Sequence, residues 1–206
     1  MKNKQQEPLR RAGMEPEPIK QFIGWLQEAE SAEVPQPDAM TLATCSRDGH
    51  PSARIVLLRG VDERGFVFFT NYESRKARDL EENRLAALVF CWLPLSRQVR
   101  VEGRVDPLGT LESDRYFARR PRGHQIAAHA SPQSQVIKDR LVLENQFADL
   151  TRTLEGKAVP RPRHWGGYRI VPDQVEFWQE GENRLHDRLR YRRDHAGGWV
   201  LERLAP

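Results

Sequence analysis

The sequence has only two cysteines in 206 residues, Cys45 and Cys91, too few for a disulfide framework. Each stands alone in an apolar run, where a small buried thiol is the expected reading. There is no C-x-x-C pair, and the six histidines do not pair at the i, i+4 spacing of a helical metal site, so no metal is expected. The longest apolar stretch, Leu85 to Leu93, falls far short of the roughly 20 residues of a membrane span. Lys2 and Lys4 are not followed by an apolar segment, so no export signal is read. A cytoplasmic protein without a membrane partner is the expectation. Glycine-rich nucleotide motifs are missing as well: neither G-x-x-x-x-G-K-[ST] nor a G-x-G-x-x-G after a strand occurs, which excludes P-loop kinases and Rossmann dehydrogenases.

What is present has the balance of a folded domain, with 38% hydrophobic and 30% charged residues. The formal charge of +4 admits an anionic partner. The cations are interleaved with acids, as in Arg75-Lys76-Ala77-Arg78-Asp79-Leu80-Glu81-Glu82, which reads as a solvated helix face. The basic run Arg188 to Arg193 belongs to no recognisable nucleic-acid motif, so no nucleic-acid partner is expected.

Residues 1–17 are polar, carry Pro8 and Pro16, show no apolar period, and read as a flexible arm ahead of a single domain over 18–206. Ile19, Phe22, Ile23 and Leu26 keep helical spacing over 19–29. Short strands split by Asp/Gly turns follow at 40–45, 53–59 and 66–70, then a helix over 74–83 with Ser74 able to cap it. Strands at 86–92 and 98–105 precede helices at 111–119, 125–130 and 136–154. The tail returns to strand at 167–171, 175–179, 185–191 and 199–204. The pattern predicts a mainly β protein with inserted helices: an antiparallel meander of seven to nine strands that closes as a small barrel.

Three clusters carry chemistry. On a strand, Arg184, His186 and Arg188 would share one face, and such a row of like charges is either a solvated outer face or the wall of an anion pocket. Thr70 to Lys76 places hydroxyls and two cations around a helix start, where free N–H groups favour phosphate; Arg54 and Arg59 on the preceding strand can converge there. Tyr116, Arg119, Arg120 and Arg122 close a helix, where cations also satisfy the last carbonyls. Together they leave room for more than one phosphate.

Glu176-Phe177-Trp178-Gln179 followed by Arg184-Leu185-His186-Asp187-Arg188 closely resembles the C-terminal signature of the pyridoxine/pyridoxamine 5′-phosphate oxidase family. Arg54-Ile55-Val56-Leu57-Leu58, Ser74-Arg75-Lys76, Arg97-Gln98-Val99, Tyr116-Phe117, Arg120-Pro121-Arg122, Gln133-Ser134 and Trp165-Gly166-Gly167 match in order, from about residue 18 to the end. The resemblance implies a split β-barrel homodimer with FMN at the subunit interface. It further implies oxidation of pyridoxine and pyridoxamine 5′-phosphates to pyridoxal 5′-phosphate, with molecular oxygen reduced to hydrogen peroxide. It assigns the FMN phosphate and ribityl end to Arg54, Thr70, Arg75, Lys76, Gln133 and Ser134, and the flavin ring to Gln98, Trp178 and Arg188. Ile55, Val56, Leu57, Leu58, Arg59 and Phe69 complete the implied cofactor contacts. Arg59, Tyr116, Arg120 and His124 would grip the substrate phosphate, and Arg184 and His186 would lie over the substrate ring as the catalytic pair.

The chain departs from that family pattern at Arg59, where lysine is usual, and at His124, where serine is usual. Imidazole is bulkier than a hydroxyl and titrates near neutrality, which predicts pH-dependent substrate affinity. Phe69 stands for a common tyrosine and His129 for a frequent tryptophan, and the arginine-rich arm is reduced to Arg10-Arg11 with no tyrosine before Tyr72. Competing readings are a related split-barrel oxidase of the phenazine-biosynthesis type and a non-catalytic flavin- or pyridoxal-phosphate-binding protein.

Overall fold

The computed structural model describes residues 7–206. Helix α1 (Pro18–Ser31) precedes strands β1 (Ala39–Cys45), β2 (Pro51–Leu57), β3 (Gly60–Asp62) and β4 (Gly65–Asn71). Helix α2 (Arg75–Glu82), β5 (Leu85–Trp92) and β6 (Arg97–Pro107) follow, then helices α3 (Thr110–Ala118), α4 (Arg122–Ala130) and α5 (Arg140–Thr153). The chain ends on β7 (Trp165–Gln179), β8 (Asp187–Arg193) and β9 (Trp199–Arg203).

All pairings are antiparallel, in the order β2-β1-β5-β6-β7-β4-β3, with β8 and β9 branching from β7. The first and last strands of that path, β2 and β3, are joined in the chain by Leu58-Arg59. The sheet therefore curls until its two edges meet at one seam. There Leu58 N donates to Asp38 O at 2.8 Å and Arg59 N donates to Val67 O at 2.8 Å. This is the expected antiparallel split barrel, with nine strands among the described residues.

Alternation puts Met40, Leu42, Phe66, Phe68, Leu88, Phe90, Val99, Val101 and Phe177 inside, and α1 closes the barrel with Ile19, Phe22, Trp25 and Ala29. A smaller core of Phe117, Ile126, Val159 and Trp165 anchors α3 and α4 to the outside of the sheet.

Strand β7 is one continuous element where two strands are expected. Pro172 does not break it, because the β6–β7 register shifts between Glu102 and Gly103, and the shift brings Gly103 opposite Pro172. A Cβ at Gly103 would lie 2.0 Å from Val171 O, so only glycine admits the approach. Helix α5 starts at Arg140, later than the expected 136, because Asp139 caps it by accepting from Val142 N at 3.2 Å. Ser74 sits at the N-cap of α2 without capping it, and its hydroxyl accepts from Lys76 Nζ instead, at 3.2 Å.

Residues 1–6 of the expected arm lie outside the described residues. From Glu7 to Glu17 the arm is docked: Leu9 N donates to Asp187 Oδ2 (2.9 Å), Gln179 Nε2 to Glu7 O (2.9 Å) and Tyr191 Oη to Glu15 O (2.6 Å). No helix among the described residues is long and apolar enough to cross a membrane.

Candidate functional site

A cleft of about 920 Å³ lies between β2, β4 and the α3–α4 layer. Among the described residues no aspartate or glutamate lines it, whereas Arg54, Arg59, Lys76, Arg119, Arg120 and His124 do. Its cations gather in two groups.

The first surrounds Lys76, on the opening turn of α2. The ammonium donates to Thr70 Oγ1 (3.1 Å), Ser74 Oγ (3.2 Å) and Gln133 Oε1 (2.9 Å), all neutral acceptors. Burial, and then the nearby Arg54 guanidinium, bring its pKa down from 10.5 to about 8. Arg54 reaches across from β2, donating to Leu42 O (3.2 Å), Thr44 Oγ1 (2.7 Å) and Ser52 Oγ (2.6 Å). The nearest carboxylate is Asp79, 3.8 Å away and itself bonded by Thr44 Oγ1 at 2.6 Å. Desolvation lowers the pKa of Arg54, Asp79 opposes that effect and Arg75 adds to it. The N-terminus of α2 faces the same region, so fixed N–H dipoles reinforce the positive potential.

The second group is built on stacked rings. Phe69 on β4 stacks on Tyr116 of α3 with centroids 3.8 Å apart and planes 6° from parallel, and on Trp165 of β7 at 5.4 Å. The Arg120 guanidinium lies 4.6 Å over the Trp165 ring. Its Nη1 is buried and has no hydrogen-bond partner among the described residues, and burial lowers its pKa, with Arg59 acting in the same direction. Arg59 itself is paired with Asp38 at 3.0 Å.

Of the residues singled out in the sequence, the cleft brings together Arg54, Ile55, Val56, Leu57, Arg59, Phe69, Thr70, Lys76, Tyr116, Arg119, Arg120, His124 and Gln133, whereas Arg122 turns away to the carbonyls of Leu154 and Lys157. Leu58 points into the core, Arg75 is exposed at the start of α2, and Ser134 adopts a left-handed backbone (φ +71°) beside Gln133 without lining the cleft. Asn71, Ser131 and Trp165 line it and were not assigned a role; the Trp165-Gly166-Gly167 motif was the available signal for the last.

Gln98, Trp178, Arg184, His186 and Arg188 do not line this cleft. Gln98, Trp178, His186 and Arg188 form a second patch. Gln98 pairs with Trp178 in the β6–β7 register, and Trp178 pairs with Arg188 in the β7–β8 register, so the three stand side by side across three strands. His186 packs on Trp178 with ring centroids 4.7 Å apart, and its Nδ1 accepts from Gly181 N at 3.2 Å. Arg188 donates to both oxygens of Glu176, at 2.8 and 3.1 Å, which raises its pKa. Arg184, His186 and Arg188 do not share the single strand face that was expected. Strand β8 begins only at Asp187, and Asn183 and Arg184 turn left-handed (φ +54° and +64°) in a 3₁₀ turn, which takes Arg184 out of the alternation.

The sequence profile described as pyridoxamine 5′-phosphate oxidase matches residues 26–153, and one described as the pyridoxine 5′-phosphate oxidase C-terminal dimerisation region matches residues 165–206. The chain is 60% identical over 193 residues to a pyridoxine/pyridoxamine 5′-phosphate oxidase of Salinibacter ruber, spanning 92% of this chain and 89% of that one. A pyridoxine/pyridoxamine 5′-phosphate oxidase of Burkholderia thailandensis is 56% identical over 197 residues, spanning 95% and 92%. Among solved structures, the fold is similar to that of PhzG from Burkholderia lata 383 in complex with tetrahydrophenazine-1-carboxylic acid. That likeness has a TM-score of 0.91 and 35% identity, covering 97% of this chain and 98% of that one.

Proposed function

Because the chain belongs to the pyridoxamine 5′-phosphate oxidase family, we propose that it is an FMN-dependent oxidase of the homodimeric, split-barrel kind. It converts pyridoxine 5′-phosphate and pyridoxamine 5′-phosphate to pyridoxal 5′-phosphate in the cytoplasm, with molecular oxygen as acceptor and hydrogen peroxide as the second product. We read residues 18–206 as the single domain that does so.

The observation that carries this reading is a carboxylate-free cleft with two separate cationic groups, each holding a buried donor that wants an anion. Lys76 is kept out of water with only neutral partners, and Arg120 Nη1 has none. Two phosphate monoesters, one on the cofactor and one on the substrate, satisfy both.

Arg54, Thr70, Arg75, Lys76, Gln133 and Ser134 would hold the FMN phosphate and ribityl chain. Ile55, Val56, Leu57, Leu58 and Phe69 would shape the adjoining wall. The bound flavin supplies a hydride acceptor that oxygen can reoxidise. Arg59, Tyr116, Arg120 and His124 would fix the substrate phosphate. The patch of Gln98, Trp178 and Arg188 would meet the flavin ring from a second copy of the chain, with the cofactor at the interface. Arg184 and His186, the proposed catalytic pair, would orient the substrate ring and stabilise charge on it.

The test is a visible spectrum of the purified protein, followed by anaerobic pyridoxine 5′-phosphate and then air. Bleaching of a flavin spectrum by substrate, its return in air, and release of pyridoxal 5′-phosphate are expected. A flavin spectrum that ignores the phosphorylated vitamers would overturn the substrate assignment, and failure to bind FMN would overturn the site.

A further inference from the structure

Building on the substrate-phosphate assignment above, we propose that Asp38 is a positioning residue that sets the affinity of this enzyme for the phosphate of its substrate. Asp38 is the residue before β1 and Arg59 follows β2, and the seam hydrogen bonds, Leu58 N to Asp38 O and Arg59 N to Val67 O, both 2.8 Å, bring the two together. Asp38 Oδ2 then takes Arg59 Nη1 at 3.0 Å. Asp38 does not line the cleft, and Arg59 does. The carboxylate therefore grips the guanidinium from behind, and no other side chain among the described residues is hydrogen-bonded to its remaining N–H groups.

Charge gives the pair its purpose. Arg59 and Arg120 repel each other across the cleft, which is one reason the pKa of Arg120 is depressed. Without a ligand nothing inside the cleft opposes that repulsion, since its lining has no acid. An unpaired Arg59, about a third exposed, would swing to solvent along its flexible stem. Pairing with Asp38 uses one edge of a planar fork and leaves the other edge for a phosphate oxygen, so the ordering cost is met before the substrate arrives.

The experiment compares wild type, Asp38→Asn, Arg59→Ala and the double variant as FMN-loaded proteins. It measures KM and kcat with pyridoxine 5′-phosphate, and dissociation constants for pyridoxal 5′-phosphate and for unphosphorylated pyridoxal. The Asp38 backbone carbonyl survives the substitution, so the seam bond is retained. Asp38→Asn is expected to raise KM and the phosphorylated dissociation constant about threefold to fivefold, the range of a half-exposed ion pair. It should leave kcat within twofold and the unphosphorylated ligand unaffected. In the Arg59→Ala background the same change should do nothing, which a general structural role for Asp38 would not produce. An unchanged KM, or a lower KM showing that Asp38 competes with the phosphate, would overturn the proposal. If the wild type itself binds both ligands alike, the substrate assignment fails instead.

Discussion

Lys76 is a cation held away from water without an acid to pair with, and its chemistry sets a pH response. Burial disfavours its charged form in the folded protein, so the ligand-free fold gains stability as pH rises from about 8 toward 10.5. Phosphate binding runs the other way, because the anion requires the ammonium. The FMN dissociation constant is therefore expected to weaken about tenfold between pH 7 and 9, the slope of one proton. Titration by flavin fluorescence measures this, and Lys76→Arg should flatten the curve. Arg120 makes a comparable case. Arg120→Ala removes the donor whose Nη1 has no other partner, and KM for pyridoxine 5′-phosphate should rise about tenfold to a hundredfold, as for a lost charge-assisted bond, with FMN content unchanged. Steady-state kinetics alongside the 450 nm absorbance would read both quantities.

At the scale of elements, strands and helices were legible wherever apolar period and turn chemistry agreed, as at β1, β4 and α2, whereas the three-residue β3 was not read and β2 ends at Leu57 rather than 59. They were illegible where a long-range partner overruled a local signal. Pro172 reads as a strand end, yet β7 passes through it because Gly103 on β6 yields the space. Gly103→Ala should accordingly cost about 3 kcal/mol or more, since backbone rather than side chain must move, and thermal unfolding would show it as a drop in Tm of several degrees. The turn before β8 misled for a different reason. Two consecutive residues, Asn183 and Arg184, take left-handed conformations, which asparagine tolerates and arginine disfavours. Such strain at the proposed catalytic arginine pre-sets its direction. No sequence period could have revealed it.

For the whole molecule, the candidate site was legible as a set of residues and not as a place. Family motifs name both patches, but only the fold shows that Gln98, Trp178, Arg184, His186 and Arg188 stand apart from the cleft. If a second copy joins them, the two patches can be inactivated on different chains. Arg120→Ala and Arg188→Ala, each weak alone, should on mixing and reassociation recover up to about a quarter of wild-type activity, the statistical share for a symmetric dimer with two shared sites. Failure to complement while the dimers exchange, followed by native mass spectrometry, would place both patches in one site of one chain.

The central position of β7 has one more consequence, for the history of the chain rather than its chemistry. β7 pairs with β6, β4 and β8, and the β4 pairing joins residues 66–71 to residues 165–170. During synthesis β4 leaves the ribosome with β3 but long before β7 exists, so the edge beside Phe66, Val67 and Phe68 that β7 will cover has its amides unpaired. The early strands β1, β2, β5 and β6 can assemble among themselves, whereas the barrel stays open until the last fifth of the chain arrives. The nascent protein thus passes through an aggregation-exposed stage that ends with a single strand, and translation speed and temperature should govern soluble yield more than the stability of the finished fold does.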